Sequence, residues 1–146
     1  MSEILESKHR LSIEKEFKSA LVYTVDDKPN IAVVSATNSY IPVEEFKDIF
    51  RFIGGLVKSN GIEKLVFDKR KLSVFHQPSM EWYFIEWKEE MYDLGLQSHR
   101  KILPEDPVFR QSVKIGRSSI EEKFPQGKYK QMDIQYFETI DDAITK

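Results

Sequence analysis

The sequence contains no cysteine. A disulfide framework, a zinc site built from thiolates and nucleophilic catalysis by a thiol are therefore excluded. Because a protein without disulfides suits a reducing compartment, we expect a cytoplasmic location. Long apolar runs are also missing, since no uninterrupted run approaches the roughly 20 residues that a transmembrane helix needs. We accordingly expect no membrane span.

The chain also has little net charge and few histidines. It contains 22 Lys and Arg against 24 Asp and Glu, which gives a net charge of -2. That balance argues against a nucleic-acid-binding protein that works by neutralising phosphates. The three histidines, His9, His76 and His99, are scattered and lack the spacing of a metal site. We expect neither a metal ion nor another cofactor.

What the chain does have is the composition of one globular domain. Its 146 residues are 40% hydrophobic, and 10 Phe, 6 Tyr and 2 Trp supply large side chains for a core. Residues 1–19 are charge-rich, and their few apolar side chains fit a strand or a short helix equally well. We therefore treat residues 1–19 as an N-terminal extension of uncertain structure and residues 20–146 as a single domain.

Hydrophobic periodicity predicts strands that alternate with helices. The first two strands are joined by a turn-forming cluster at residues 26–30, which predicts a β-hairpin. The segment 98–103 is too polar for a fully buried strand, so we expect it at a sheet edge or partly exposed. In chain order, strands are predicted at 20–25, 31–36, 65–67, 98–103 and 132–136, and helices at 42–60, 78–94, 106–124 and 139–144.

This order predicts an α/β fold with a mixed sheet. It has an N-terminal antiparallel hairpin, parallel crossovers after it and about four helices. Caps support the later helices: Asp106 precedes Pro107, and Thr139 and Asp142 have capping-box spacing. Functional residues of such folds lie in loops at the carboxyl ends of strands.

The loop after the buried strand at 65–67 contains the best candidate site. Asp68, Arg70, His76 and Ser79 occur there, close to the start of a helix. Helix N-termini attract anions, so Ser79 could bind or carry a phosphate. The alternative is structural: Asp68 pairs with Arg70 or Lys71, and the loop only connects two elements.

An aromatic cluster marks the second predicted helix. Trp82 and Tyr83 point away from part of the apolar seam that contains Met80, Phe84 and Trp87. Two outcomes are open. Either the core face of this helix is broad, or Trp82 and Tyr83 form an exposed apolar interface for a second copy of the chain, a protein partner or an apolar ligand.

Several of these segments together resemble a known family. They are the hairpin, Asp68-x-Arg70 after the central strand, the Trp-bearing second helix, Leu103-Pro104-Glu105-Asp106 and the closing Tyr136-Phe137-Glu138-Thr139. They look like the bacterial SpoIIAA-like proteins with a STAS fold, sometimes grouped with SEC14-like domains. In related anti-sigma factor antagonists, a serine at the start of the corresponding helix is phosphorylated within an Asp-Ser-Ser/Thr-Gly-Leu motif. This chain lacks that motif, although Ser79 lies near the helix start.

Three functions remain open at this point. The leading hypothesis is a non-enzymatic STAS-like interaction or regulatory module that pairs with a protein partner or forms a homodimer. The alternative is a carrier of a small apolar or lipid-like ligand, which the SEC14-like grouping implies and the aromatic helix suits. The third is an enzyme that uses Asp68, His76 and Ser79.

Overall fold

The computed structural model describes residues 7–146, which form a six-stranded sheet packed against helices. The strands lie side by side in chain order. The first three are antiparallel, and the last four run parallel to one another. The predicted α/β fold, with its N-terminal hairpin and parallel crossovers, is confirmed. The strands are β1 (Leu11–Glu16), β2 (Ala20–Val25), β3 (Lys28–Ala36), β4 (Lys64–Asp68), β5 (Ser98–Ile102) and β6 (Asp133–Tyr136).

The helices follow the predicted positions closely. Asp106 accepts a hydrogen bond from the Val108 N–H at 2.9 Å, and Thr139 Oγ1 accepts one from the Asp142 N–H at 3.1 Å, so both predicted caps are confirmed. The second predicted helix is continuous but changes type, because a π-helical segment (Tyr83–Trp87) joins its two α-helical parts. The helices are α1 (Val43–Asn60), α2 (Gln77–Trp82), α3 (Lys88–Asp93), α4 (Pro107–Lys123) and α5 (Ile140–Thr145), and a 3-10 turn covers Lys128–Gln131.

The two faces of the sheet carry different layers. Helices α1 to α4 pack on one face, which we call the helix face, because right-handed crossovers between successive parallel strands all pass on the same side. Among the described residues, α5 is the helix that covers the opposite face, which we call the α5 face. Side chains alternate along each strand, so Leu65 and Phe67 join the helix-face core and Val66 joins the α5-face core.

The N-terminal extension, residues 1–19, contains a strand. β1 pairs antiparallel with β2, so the sheet begins before residue 20. Its alternation of apolar and charged residues fits an edge strand, which needs to bury only one face. Residues 1–6, the rest of the predicted extension, lie outside the described residues. Within residues 7–146, no helix is both long enough and apolar enough to cross a membrane.

The prediction for the fourth strand is wrong. β5 lies between β4 and β6, and it is buried: His99, Arg100 and Lys101 are only 0%, 3% and 0% exposed. Polarity suggested an edge because buried polar groups usually cost free energy. Arg100 has hydrogen-bond partners that the sequence does not reveal, whereas Lys101 is buried without a partner within residues 7–146.

Candidate functional site

A partly open pocket lies on the helix face, at the edge where β3 and β4 end. The loop after β4, residues 69–76, forms its roof, and α1, α2 and α4 contribute walls. Its volume is about 50 Å³. We call it the loop pocket. Four polar side chains, Lys69, His76, Ser79 and Tyr83, interrupt walls formed by Ile41, Phe46, Phe67, Leu72, Val74, Phe75, Met80 and Phe109.

The roof is attached to the neighbouring loop between β3 and α1. The N–H groups of Ser73 and Val74 both donate to the Ser39 carbonyl, at 2.9 and 3.3 Å. The Tyr40 ring meets His76 edge-on, with 6.2 Å between ring centroids. Two loops at the carboxyl edge of the sheet therefore close the pocket together.

His76 and Ser79 form one pair inside this site. His76 is the N-cap of α2, where its Nδ1 accepts a hydrogen bond from the Ser79 backbone N–H at 3.3 Å. The Ser79 hydroxyl lies 2.8 Å from the same nitrogen, and the Ser79 side chain is buried. Both residues line the loop pocket, so the cap that fixes the helix start also places two polar groups in the pocket wall.

Asp68 and Arg70 form a second pair, but on the other face of the sheet. Asp68 alternates with Phe67 and so points to the α5 face. Its two carboxylate oxygens accept from Arg70 Nε at 2.9 Å and Arg70 Nη2 at 3.0 Å, and Ser35 Oγ donates at 3.2 Å. The four predicted site residues are therefore brought together as two separate pairs. For Asp68 the structural alternative, pairing with Arg70, is the one observed.

Lys69 is the pocket residue that sequence reasoning missed. Its side chain is 9% exposed, and its ammonium nitrogen lies 4.8 Å from the centroid of the Phe67 ring. The Lys69 N–H donates to the Ile102 carbonyl at 2.8 Å, which fixes the residue at the end of β4. Burial lowers the pKa of Lys69 to about 8. Its position in a basic, polar run gave no sign that it turns inward.

Tyr83 joins the loop pocket to a buried histidine. Its hydroxyl lies 2.5 Å from His99 Nε2, and His99 Nδ1 lies 3.1 Å from the Leu65 carbonyl oxygen. A carbonyl can only accept, so Nδ1 carries the proton, and Nε2 accepts from the Tyr83 hydroxyl. Burial, reinforced by the charges of Lys88 and Lys101, holds the pKa of His99 well below its ordinary value.

Two further lysines are buried against the same aromatic rings. Lys88 and Lys101 are both 0% exposed, and their ammonium nitrogens lie 3.5 and 4.5 Å from the centroid of the Phe84 ring. Neither nitrogen has a hydrogen-bond partner within residues 7–146. Burial is the main cause that holds the pKa of each well below the ordinary lysine value. We call Lys69, Lys88 and Lys101 the buried lysine cluster.

The predicted apolar interface is only partly on the surface. Tyr83 is 1% exposed and belongs to the core, so the interface prediction is wrong for this residue. Trp82 is half-buried, with Lys47 Nζ and Arg51 Cζ at 5.8 and 6.0 Å from its ring centroid. Beside it lie two surface grooves of about 380 and 370 Å³ that share Ile85 and Phe124. We call them together the Phe124 groove.

No cluster of metal-ligating side chains accompanies these sites. Within the described part of the chain, no three His, Asp or Glu residues come together in a way that could hold a metal ion. Comparisons with protein-family models, with curated proteins and with solved structures find no match to this chain. The functional argument therefore depends on the geometry of the loop pocket and its surroundings.

Proposed function

We propose that this chain is a non-enzymatic, STAS-like regulatory module that binds a compact ligand in the loop pocket and acts through a protein partner. The observation that supports this proposal is the loop pocket, a partly open cavity at the carboxyl edge of the parallel strands. Pockets of this kind, mostly apolar with a few convergent polar groups, are the usual places for ligands in α/β folds.

The arrangement of the polar residues favours binding over catalysis. A serine nucleophile needs a histidine base that is itself oriented by a third group, often a carboxylate. Here Asp68 is bound to Arg70 on the other face of the sheet, and His76 Nδ1 is used by the helix cap. The pair of His76 and Ser79 is suited to hydrogen-bonding a ligand.

The size of the loop pocket distinguishes between the possible ligands. One water needs roughly 10–15 Å³, whereas pockets for drug-sized ligands measure roughly 300–1,000 Å³. A volume of about 50 Å³ fits a group of a few atoms and is far smaller than the pockets that surround larger ligands. The small-ligand hypothesis therefore narrows to a compact molecule.

Tryptophan fluorescence provides a direct test. Trp87 stacks on Tyr83 with ring centroids 5.4 Å apart, and Tyr83 lines the loop pocket. In a Trp82→Phe background, Trp87 is the only tryptophan. We expect titration with a panel of compact charged and neutral molecules to produce a saturable fluorescence change for at least one of them. A panel without any saturable change would refute the proposal.

Two glycine substitutions in helix interiors make a matched pair for that titration. A methyl group at Gly116 would lie 2.8 Å from Phe75 Cζ and 3.2 Å from Met80 Sδ, both in the pocket wall. A methyl group at Gly55 would meet nothing within 4 Å. We expect Gly116→Ala to weaken ligand binding and Gly55→Ala to leave it unchanged. Equal affinities would place the ligand outside the loop pocket.

The Phe124 groove favours self-association as a second candidate function. Phe124 is 40% exposed at the junction of its two halves, where a second copy of the chain could bury it. We expect a homodimer in sedimentation velocity, and we expect Phe124→Ser to shift it toward monomer. A wild-type chain that stays monomeric at every concentration would contradict this candidate.

A further inference from the structure

The buried lysine cluster lies against the wall of the loop pocket. Lys69 lines the pocket itself. The ammonium nitrogens of Lys88 and Lys101 lie 4.6 and 5.9 Å from the centroid of the Tyr83 ring, and Tyr83 also lines the pocket. Electrostatic repulsion from Lys69 reaches both of the other lysines and lowers the pKa of each. The pocket therefore borders on three basic side chains.

No acidic side chain balances this cluster. Asp68 is the only buried carboxylate within residues 7–146, and it is bound to Arg70 on the opposite face of the sheet. The next basic group, Arg117, forms an ion pair with Glu121 at 3.5 Å, although its Nε makes no hydrogen bond within the described residues. The described part of the chain thus provides no counter-charge for Lys88 or Lys101.

Aromatic contacts offset only part of the cost of burying these amines. Burying a charge costs more free energy than the contact of a desolvated cation with an aromatic face returns. The Phe84 ring receives Lys88 and Lys101 in this way, but a ring carries no net charge. An anion in the adjacent pocket would supply the missing negative charge. The low-dielectric walls of the pocket would strengthen the attraction between this anion and the lysines.

We propose that the ligand of the loop pocket is a compact oxyanion, a carboxylate or phosphoryl group, that Lys69 binds directly and that Lys88 and Lys101 attract from behind Tyr83. This inference rests on the proposed function, since it names the chemical class of the same ligand. The Ser79 hydroxyl adds a neutral hydrogen-bonding group to the site. A few-atom oxyanion also matches a volume of about 50 Å³.

Acetate and acetamide form the decisive pair of probes, because they have nearly the same size and differ in charge. We would titrate the full chain with acetate, acetamide and inorganic phosphate by calorimetry, in a chloride buffer without other oxyanions. We expect acetate or phosphate to bind and acetamide to bind much more weakly. Preference for phosphate would indicate a phosphoryl ligand, and preference for acetate a carboxylate.

Lysine substitutions show which charge is responsible for oxyanion binding. Loss of a charged hydrogen bond in Lys69→Met should weaken oxyanion binding roughly tenfold or more. Lys69→Arg keeps the charge and should retain binding. Lys101→Met should weaken it less, because this amine acts at a distance. Lys58→Met, an exposed position at the far end of α1, is the matched control and should change nothing.

The pH profile gives an independent readout. Lys69 makes the direct contact and attracts the anion only while it is protonated, so affinity should fall as pH rises through about 8 in the wild type, and the fall should be smaller in Lys69→Arg. The titratable groups near Lys69 are His76 and Tyr83 in the pocket, with His99, Lys88 and Lys101 behind Tyr83. A circular dichroism spectrum would confirm that each variant is folded.

The outcomes separate the two proposals. Acetamide that binds as well as acetate, or oxyanion binding that survives Lys69→Met, would overturn the oxyanion inference and leave a neutral compact ligand intact. Absence of oxyanion binding, together with a neutral hit in the fluorescence panel, would do the same. If no compact molecule binds in either experiment, both proposals fail.

Discussion

Arg100 and Lys101 are neighbours on β5 and are both buried, yet they point to opposite faces of the sheet and meet different surroundings. On the α5 face, Arg100 donates to the Asp133 carboxylate at 2.8 Å and to the backbone carbonyls of Asp133 and Lys146 at 2.7 and 3.1 Å. On the helix face, the Lys101 ammonium has no hydrogen-bond partner within residues 7–146. Asp68 and Arg70 repeat the balanced arrangement on the α5 face.

The difference separates structural charges from functional ones. A buried charge with its partners in place is part of the architecture, and removing it exposes those partners. A buried charge without a partner is unusual in folded proteins and marks a place where a ligand is to be sought. Within residues 7–146, the buried charges on the α5 face are thus paired with opposite charges, although Arg100 Nε makes no hydrogen bond, whereas the buried amines of Lys88 and Lys101 on the helix face have no partner.

The largest expected effect is a pH dependence of stability that comes from the helix face. Lys69 has a pKa of about 8 when folded and 10.5 as its ordinary value, so between these limits the unfolded chain binds more protons. Lys88 and Lys101 add to this effect in the same direction. In oxyanion-free buffer, the free energy of unfolding should therefore rise from pH 8 toward pH 10.

Denaturant unfolding at several pH values measures this trend. Tyr83 and Tyr129 act in the opposite sense, because their pKa values are raised above 10.0 by burial and their contribution is lost above that pH. The comparison is therefore made below pH 10. A stability that falls between pH 8 and pH 10 would show that the lysines are not deprotonated in the folded chain.

Lys101→Met should stabilise the protein. It keeps the apolar stem of the side chain and removes a buried amine that has no hydrogen-bond partner within residues 7–146, and an unsatisfied buried polar group costs about 1–3 kcal/mol. The same unfolding experiment at neutral pH measures the change, with Lys58→Met as the surface control. Destabilisation by Lys101→Met would mean that its amine has a favourable partner after all.

Arg100→Met should have the opposite sign. The carbonyls of His99, Asp133 and Lys146 would lose their donor, at a cost of about 0.5–1.5 kcal/mol per hydrogen bond. The Asp133 carboxylate is more than half exposed, so it would be solvated and would not add a buried charge. If Arg100→Met and Lys101→Met both stabilised the protein, the contrast between the two faces would be wrong.

The apolar parts of the fold are those that the sequence predicts well. The continuous apolar run from Leu65 to Phe67 predicts β4. The helical spacing of Phe46, Phe50 and Ile53 predicts α1. β5 does not follow from pattern alone, because its polar residues are buried through long-range interactions. Arg100 donates a hydrogen bond to Asp133 on the neighbouring strand β6. Lys101 lies against the rings of Tyr83 and Phe84.

The sequence predicts where the candidate site lies, but not all of the residues that form it. His76 and Ser79 lie where a strand-to-helix loop predicts a site, and the structure puts them in the pocket wall. Lys69 could not be distinguished from Arg70, since neighbouring basic residues turn inward or outward according to the face of the strand that precedes them. The π-helical turn, which brings Tyr83 inside, has no periodic signal of its own.

The middle of the loop-pocket roof is bonded to the Ser39 carbonyl through the amides of Ser73 and Val74. Each such bond contributes about 0.5–1.5 kcal/mol net, far less than global unfolding. Local opening of the roof therefore breaks no hydrogen bond between β3 and β4. Hydrogen exchange at these two amides follows this local opening and reports how often the pocket admits a molecule from solvent.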